Sequence, residues 1–551
     1  MSIVDDKLAE PAVSSRSTGS DSIAPASIAP ASPARRLWWK WGGEDISFAP
    51  VDQGSSTTSD TKRGDLETGT TGLVNVKGSV FDDSSAAQFY EPPEKYEGRH
   101  RFDPKATWTP DEERRLVRAL DWRICLPACI FFFALQLDKG NISQALSDNM
   151  LDDLNLNTDD YNNGMTIFYC SYLVAELPSQ LISKRIGPDN WIPIQMVLWS
   201  AGLQTARHSS SPVSYSEYLK VSSFIAYGVF HLEGHPGLMG QGWRYLFAIE
   251  GGLTAFIGIV AWFYLPPSPT HTKGEGIKGF FRGKNGWFSE REETIMVTRI
   301  LRDDPGKSSM HNREAITLKL LWTSFCDYDM WPIYLIGLTW TIPMTPPTSY
   351  LTLSLKALGF STLNTNLLVI PSSVLFILQL QFWTWVSEKT NQRMFVGLVS
   401  QIWVIPLLIA FETLPGTFPH SNWIKYAIST LIVGYPYAHA VMAALASRNA
   451  GTVRTRTVGT SMYNMTIQAS NIISSQIYRA KDKPYYYTGN KVLLGVAAFN
   501  VLLFVGTKIF YVQKNNKRDE MWNGMTRDEK LNYLATTEDK GNKRLDFRFA
   551  S

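Results

Sequence analysis

Apolar runs long enough to form membrane-crossing helices recur along most of this 551-residue chain, separated by short polar links. They predict spans at about 124–146, 163–183, 191–206, 243–265, 331–354, 366–386, 394–414, 423–446, 457–478 and 490–512. Most of them come close to the roughly 20 residues that cross a hydrocarbon layer at about 1.5 Å per residue. A weaker run covers 221–232. Trp, Tyr and Phe concentrate in the same part of the chain, as membrane interfaces favour. The pattern predicts an all-α polytopic membrane protein.

The first span contains an anomaly. In FFFALQLDKGNISQAL, Asp138 and Lys139 follow an unbroken apolar stretch. Ile124 to Leu137 is only about 14 residues and cannot span unaided. Extending the helix through Gly140, Asn141 and Ser143 to Leu146 gives about 23 residues and carries both charges inside the bilayer. A charge at that depth costs at least about 2.5 kcal/mol, so it needs a partner or a water-filled cavity. The alternative is a charged helix end with Asp138 at the surface.

Residues 1–108 dilute the apolar signal. They are rich in Ser, Pro, Gly and charge, including the near-repeat SIAPASIAPASPA, and this composition predicts a disordered tail. MSIVDDKLAE is polar and no signal-peptide core follows. The net charge of +3 is too small to imply a nucleic-acid partner; its distribution says more. The link 266–330 holds ten Lys and Arg, whereas 147–161 holds five Asp and none. The positive-inside rule then places the long link and both termini in the cytosol. Lys481 and Lys483, with Arg479, are the exception. The four cysteines show neither a disulfide framework nor metal-ligand spacing, so no metal and no cofactor is expected. No nucleophile–base arrangement is apparent, and the chain is not read as an enzyme.

Three polar segments carry a helix-start signal: Thr109-Pro-Asp-Glu112, Ser289-Glu-Arg-Glu292 and Thr526-Arg-Asp-Glu529. Each predicts a short helix against the cytosolic end of the bundle. The predicted organisation is a tail over 1–108, a first bundle over 109–265, a linker over 266–330, a second bundle over 331–512 and a tail over 513–551. SKRIGPDN follows the second helix of the first bundle and SEKTNQR the second helix of the second, as an internal duplication would place them.

LDKGNISQAL, TIFYCSYLVAELPSQLISKRIGPDNWIPIQMVLWS, GWRYLFAIEGGLTAFIGIVAWFYLPPSPT, WFSEREETIMVTRILRDDP and DKGNKRLDFRFA together resemble the fungal allantoate permease family. This is the anion:cation symporter branch of the major facilitator superfamily, and the likeness runs from about Thr109 to the C-terminus. It implies a twelve-helix fold of two six-helix bundles and proton-coupled import of a small organic anion. Nicotinate, pantothenate, allantoate and other vitamin- or carboxylate-type substrates fall in this class. Sulfate or sulfonates in one branch are the alternative. It also implies residence in the plasma membrane, with the carrier working as a monomer.

The chain departs from that pattern in its first half. From Asp121 to Leu265 there are about 145 residues, against about 181 from Trp331 to Tyr511 in the second half. The shortfall of about 36 falls after AGLQTA, around 207–225, where RHSSSPVSYSEYLK replaces the fourth helix and part of the fifth. The first bundle is therefore expected to lack about two helices. Parity agrees, since a full crossing at 221–232 would put the ten-cation link outside.

In such a bundle the polar groups of the first helix line the central cavity. A carboxylate that can shed its water cycles between charged and neutral forms, and Asp138 is the expected proton carrier. Lys139 is expected to attract the anion. Relatives generally have Arg there, whose planar fork binds carboxylate bidentately, so Lys implies a different anion geometry or weaker orientation. Asn141, Tyr435 and His439 complete the expected substrate site, although packing is the simpler role for His439. Glu176, Glu250, Asn464 and Gln468 are secondary polar candidates; each glutamate is read equally as a structural ion-pair partner, and for Asn464 and Gln468 hydrogen bonding between helices is the favoured role. Lys184, Arg185, Glu388, Lys389 and Arg393 are expected to brace a cytosolic gate. Gly274-Glu-Gly276-Ile-Lys-Gly279 fits G-x-G-x-x-G, but no strand precedes it and nucleotide binding is not expected. A truncated, non-transporting remnant or a membrane sensor is the competing class of function.

Overall fold

The computed structural model describes residues 48–49, 51, 81, 84–94, 96, 98–134, 155–206, 242–303, 318–360, 362–413, 421–451, 453–482, 486–539 and 541–551. These residues are overwhelmingly helical. Helix α1, Pro110–Leu120, continues through a π-helical turn at Asp121–Cys125 to residue 134. The first half then contributes α2 (Thr158–Ile186), α3 (Pro188–Ala206) and α4 (Gly242–Tyr264). In the linker lie α5 (Gly276–Arg282), α6 (Glu290–Asp303) and α7 (Leu318–Phe325). The weaker run 221–232 and the whole of 207–241 lie outside the described residues.

Proline shapes the second half. The predicted span 331–354 is three helices, α8 (Trp331–Thr339), α9 (Thr345–Ser349) and α10 (Leu351–Ala357). Pro343, Pro346 and Pro347 lack the N–H that would continue the ladder, and α9 restarts with proline in its first turn. The span 366–386 is α11 (Thr362–Leu368) followed by α12 (Ile370–Thr390), again with proline in the first turn. The span 423–446 is α14 (Ser421–Val433) and α15 (His439–Asn449), interrupted at Pro436. Unbroken helices α13 (Arg393–Thr413), α16 (Val453–Ser475) and α17 (Tyr487–Asn523) complete the bundle, and α18 (Arg527–Thr536) follows. Among the described residues, α4, α13 and α17 are long and apolar enough to cross a membrane by composition alone.

The two halves repeat one packing arrangement. In each, the third helix packs closely on the last: α3 on α4, and α13 on α17. Glycine permits both approaches. A Cβ at Gly258 would lie 2.9 Å from the Met196 Cβ, and one at Gly397 would lie 2.4 Å from the Phe504 ring. The shortened first half therefore keeps the helix pair that its counterpart also uses. Between the halves, α2 packs on α16.

All three predicted helix starts form at the end of the bundle that carries the basic links. Thr109 and Thr526 accept from the Glu112 and Glu529 amides, and each glutamate accepts in return from the threonine N–H. Ser289 and Glu292 exchange the same pair of bonds, at 2.8 and 3.3 Å. Thr109→Ala is expected to cost about 1 kcal/mol locally and to raise amide exchange in the first turn of α1 about fivefold. Hydrogen-exchange mass spectrometry of the purified protein measures this.

The expectation of disorder through residue 108 needs correction where the tail is described. Trp108 is fully buried, donates to Glu113 and lies under the Arg302 guanidinium. Leu116, Phe288, Ile295 and Met296 close a small core around it. Arg101 pairs with Glu290 and Glu293, Arg291 with Glu112, and Arg299 with Glu113. An average over 108 residues conceals the few aromatic and charged side chains that find partners on α6.

The far C-terminal segment, 541–550, packs beneath the second half with similar specificity. Asn449 and Asn515 each donate to and accept from its backbone, at Ala550 and Phe549, as a neighbouring strand would. Arg518 donates to the Phe547 and Asn542 carbonyls. Lys543 bridges Asp327 and Asp329, and these hydrogen bonds overcome the cost of its burial and hold its pKa above the ordinary lysine value. Asp546, fully buried, is gripped by both arms of Arg544 and by the Tyr90 hydroxyl at 2.8 Å. Burial and the Asp546 charge push the Tyr90 phenol up. Phe48 closes this knot against Phe547 and beneath Arg544.

Candidate transport site

Asp138, Lys139 and Asn141 lie outside the described residues. The remaining candidates fall into three groups.

Glu176 and Asn464 meet across the boundary between the halves, with the Asn464 amide donating to the glutamate at 3.4 Å. Gln468, one turn along α16, accepts from Asn471 at the same distance. Glu250 is fully buried in α4. One turn further along, on the same face, Thr254 donates to the Ala134 carbonyl at 3.3 Å, so this face of α4 packs on the first helix.

Tyr435 and His439 enter one aromatic cluster. The helix break at Pro436 turns the Tyr435 ring against Trp340 and Phe376. His439 stacks on Tyr463 at 5.7 Å and lies 5.9 Å from Tyr437. Trp340 is fixed from behind by a bond from its indole N–H to Ser400. Gln401 and Asn500 extend this into a buried polar network, with Asn500 donating to Gln401 at 3.2 Å. Sequence reasoning missed Trp340, Gln401 and Asn500; amides set inside apolar runs, Gln401 and Asn500, were the available signal.

The predicted gate residues occupy matching places in the two halves. Arg185 is exposed at the end of α2, and Lys184 lies in the same turn. Glu388 and Lys389 are exposed in the last turn of α12, where the Lys389 ammonium lies 5.9 Å from the Trp385 ring. Arg393 opens α13 and is half-buried.

A fourth group joins the halves at the opposite, acidic end. Asn162 donates to the Tyr478 carbonyl at 2.8 Å and accepts from the Tyr350 hydroxyl. Gln476 donates to Thr166 at 2.7 Å, and Ser475 bonds the same threonine. Tyr478 and Tyr486 stack at 4.3 Å. The spacing Asn162, Thr166 on one face of α2 could have signalled this contact. A small cleft lies nearby, lined by Leu351, Leu408, Phe411, Tyr478, Tyr486 and Asn490. Neither Tyr435 nor His439 borders it, and its mainly apolar wall offers an anion little.

The described geometry is therefore two helical halves meeting through polar side chains, with acids and amides inside the bundle. Residues 234–475 match the sequence profile of the Major Facilitator Superfamily. The uncharacterized transporter YIL166C of Saccharomyces cerevisiae is 39% identical over 522 residues, covering 86% of this chain and 94% of its own. The chain belongs to the major facilitator superfamily, whose members are membrane transporters rather than enzymes. The putative uncharacterized transporter YOL162W of the same yeast is 47% identical over 214 residues, 39% of this chain and 99% of its own. The MFS-type transporter cnsL of Penicillium expansum is 24% identical over 458 residues, 78% of this chain and 89% of its own.

Coverage of 86% is about 474 residues of this chain, so about 48 of the 522 aligned positions have no residue here.

Proposed function

We infer that this protein is a proton-coupled symporter that imports a small organic anion of the vitamin or carboxylate type, such as nicotinate, pantothenate or allantoate. The observation that carries the reading is the adjacent acid and base, Asp138 and Lys139, in the first span of a major facilitator chain. Asp138 takes and releases the proton, while Lys139, Asn141, Tyr435 and His439 hold the anion. Glu250 is fully buried one turn before Thr254, on the face of α4 that packs on the first helix. This placement supports Glu250 as a second carboxylate at the coupling site. Glu176 and Asn464 serve as the polar joint between the halves.

The ten-cation linker supports a cytosolic position for the basic end and both termini, with the protein acting as a monomer in the plasma membrane. Sulfate or a sulfonate is the alternative substrate, distinguished by competition in the same assay. The decisive measurement is uptake into proteoliposomes under an inward proton gradient. Organic-anion accumulation that collapses with a protonophore is the expected result; equal uptake with and without the gradient would refute proton coupling.

A second reading is favoured by the missing positions: a remnant that keeps the fold without completing a transport cycle. Grafting the corresponding segment of the 39%-identical yeast relative after Ala206 separates the two. Transport by the graft alone would establish the remnant, whereas comparable transport by both chains would reject it.

A further inference from the structure

The glycine-rich stretch of the linker, which resembles a phosphate-binding fingerprint, closes a tight loop around α5. Gly274 donates its N–H to the Gly283 carbonyl, and Gly276 and Gly283 take positive φ. A Cβ at Gly274 would lie 2.6 Å from the Lys278 carbonyl oxygen, and one at Gly279 would lie 2.9 Å from that of Gly274. These glycines serve backbone packing. The closed loop directs one face of α5 outward: Ile277 is 64% exposed, Phe280 87% and Phe281 36%.

The position of that face is fixed by the other side of the helix. Arg282 is buried and donates from Nε to the Tyr264 carbonyl at 3.1 Å and from Nη2 to the Leu265 carbonyl. Tyr264 in turn donates to the Arg123 carbonyl at 2.9 Å. Since the apolar stretch of α4 is Phe247–Tyr264, α5 is tied to the point where α4 leaves the hydrocarbon. Ile259 and Trp262 of α4 are exposed as well, so the apolar surface continues from the span onto the loop. Lys273 and Lys284 are exposed around it and Lys278 half-exposed, with Glu275 the one acid between residues 272 and 286.

We propose that α5 is a lipid anchor: Ile277 and Phe280 insert at the boundary of headgroups and acyl chains, and Lys273, Lys278 and Lys284 engage anionic headgroups of that leaflet. Continuity with the span and complementary charge select the bilayer as occupant over a protein partner. The inference rests on α4 crossing the membrane and is independent of transport.

The test uses the full chain with its four cysteines replaced by serine, spin-labelled at Phe280→Cys, in nanodiscs of phosphatidylcholine with and without phosphatidylserine. Power saturation should show higher accessibility to oxygen than to a water-soluble nickel chelate, with deeper immersion when phosphatidylserine is present. Lys278→Glu combined with Lys284→Glu should remove the phosphatidylserine effect. A label at Ile259 on α4 is the reference. Nickel-accessible 280 beside oxygen-accessible 259 would overturn the anchor and leave the span intact; nickel access at both would overturn the span as well. Immersion indifferent to phosphatidylserine would overturn the headgroup contact. Because Phe280 is so exposed, the label displaces little packing, and Ile277→Cys repeats the measurement one turn away.

Discussion

Asp138→Asn is expected to abolish proton-driven accumulation, bringing the ratio of internal to external substrate down to about 1, while counterflow exchange stays measurable. Asparagine keeps the size and a hydrogen-bonding oxygen but cannot release a proton. Exchange needs only a loaded carrier that reorients, whereas accumulation needs the empty carrier to return in a defined protonation state. If both activities vanish together, the side chain is structural and the coupling role fails. Lys139→Gln should separate the other function: removing a charge-assisted contact predicts about 10-fold weaker anion affinity with coupling retained. Substrate-dependent thermal shift in detergent reads this directly, and unchanged affinity excludes Lys139 from the site.

The second large effect concerns Asp546. Replacing it with alanine leaves Arg544 without its bidentate acceptor and the Tyr90 hydroxyl without the same carboxylate. Removing one member of a buried pair costs about 3–5 kcal/mol. Amide exchange across 541–550 should therefore accelerate by about 100-fold or more. Adding Arg544→Leu to Asp546→Ala removes the stranded charge and should recover part of the protection. Unchanged exchange in the single variant would mean that the two asparagine clamps alone hold the segment.

The positions of the spans were legible because hydrophobic length is a local property. Residues 163–183 were expected and α2 covers Thr158–Ile186; 394–414 was expected and α13 covers Arg393–Thr413. The breaks at Pro343 to Pro347 and at Pro436 escaped, since summed hydropathy does not register a missing N–H. Buried Trp108 and Tyr90 escaped for a related reason: two aromatic side chains hardly alter the composition of a long polar tail, yet each finds an ion-paired niche. Glu176 and Asn464 could each be named from the sequence as polar groups in apolar helices. Their meeting required knowing that α2 and α16 are neighbours.

In a carrier that rocks two halves, the polar and aromatic contacts among Asn162, Tyr350, Tyr478 and Tyr486 would act as a latch. On the proposed transport reading, each turnover would undo these contacts and remake them, so their strength would set how long the molecule dwells in one orientation. The speed of the proposed cycle would then be tuned at the acidic end rather than at the proposed anion site.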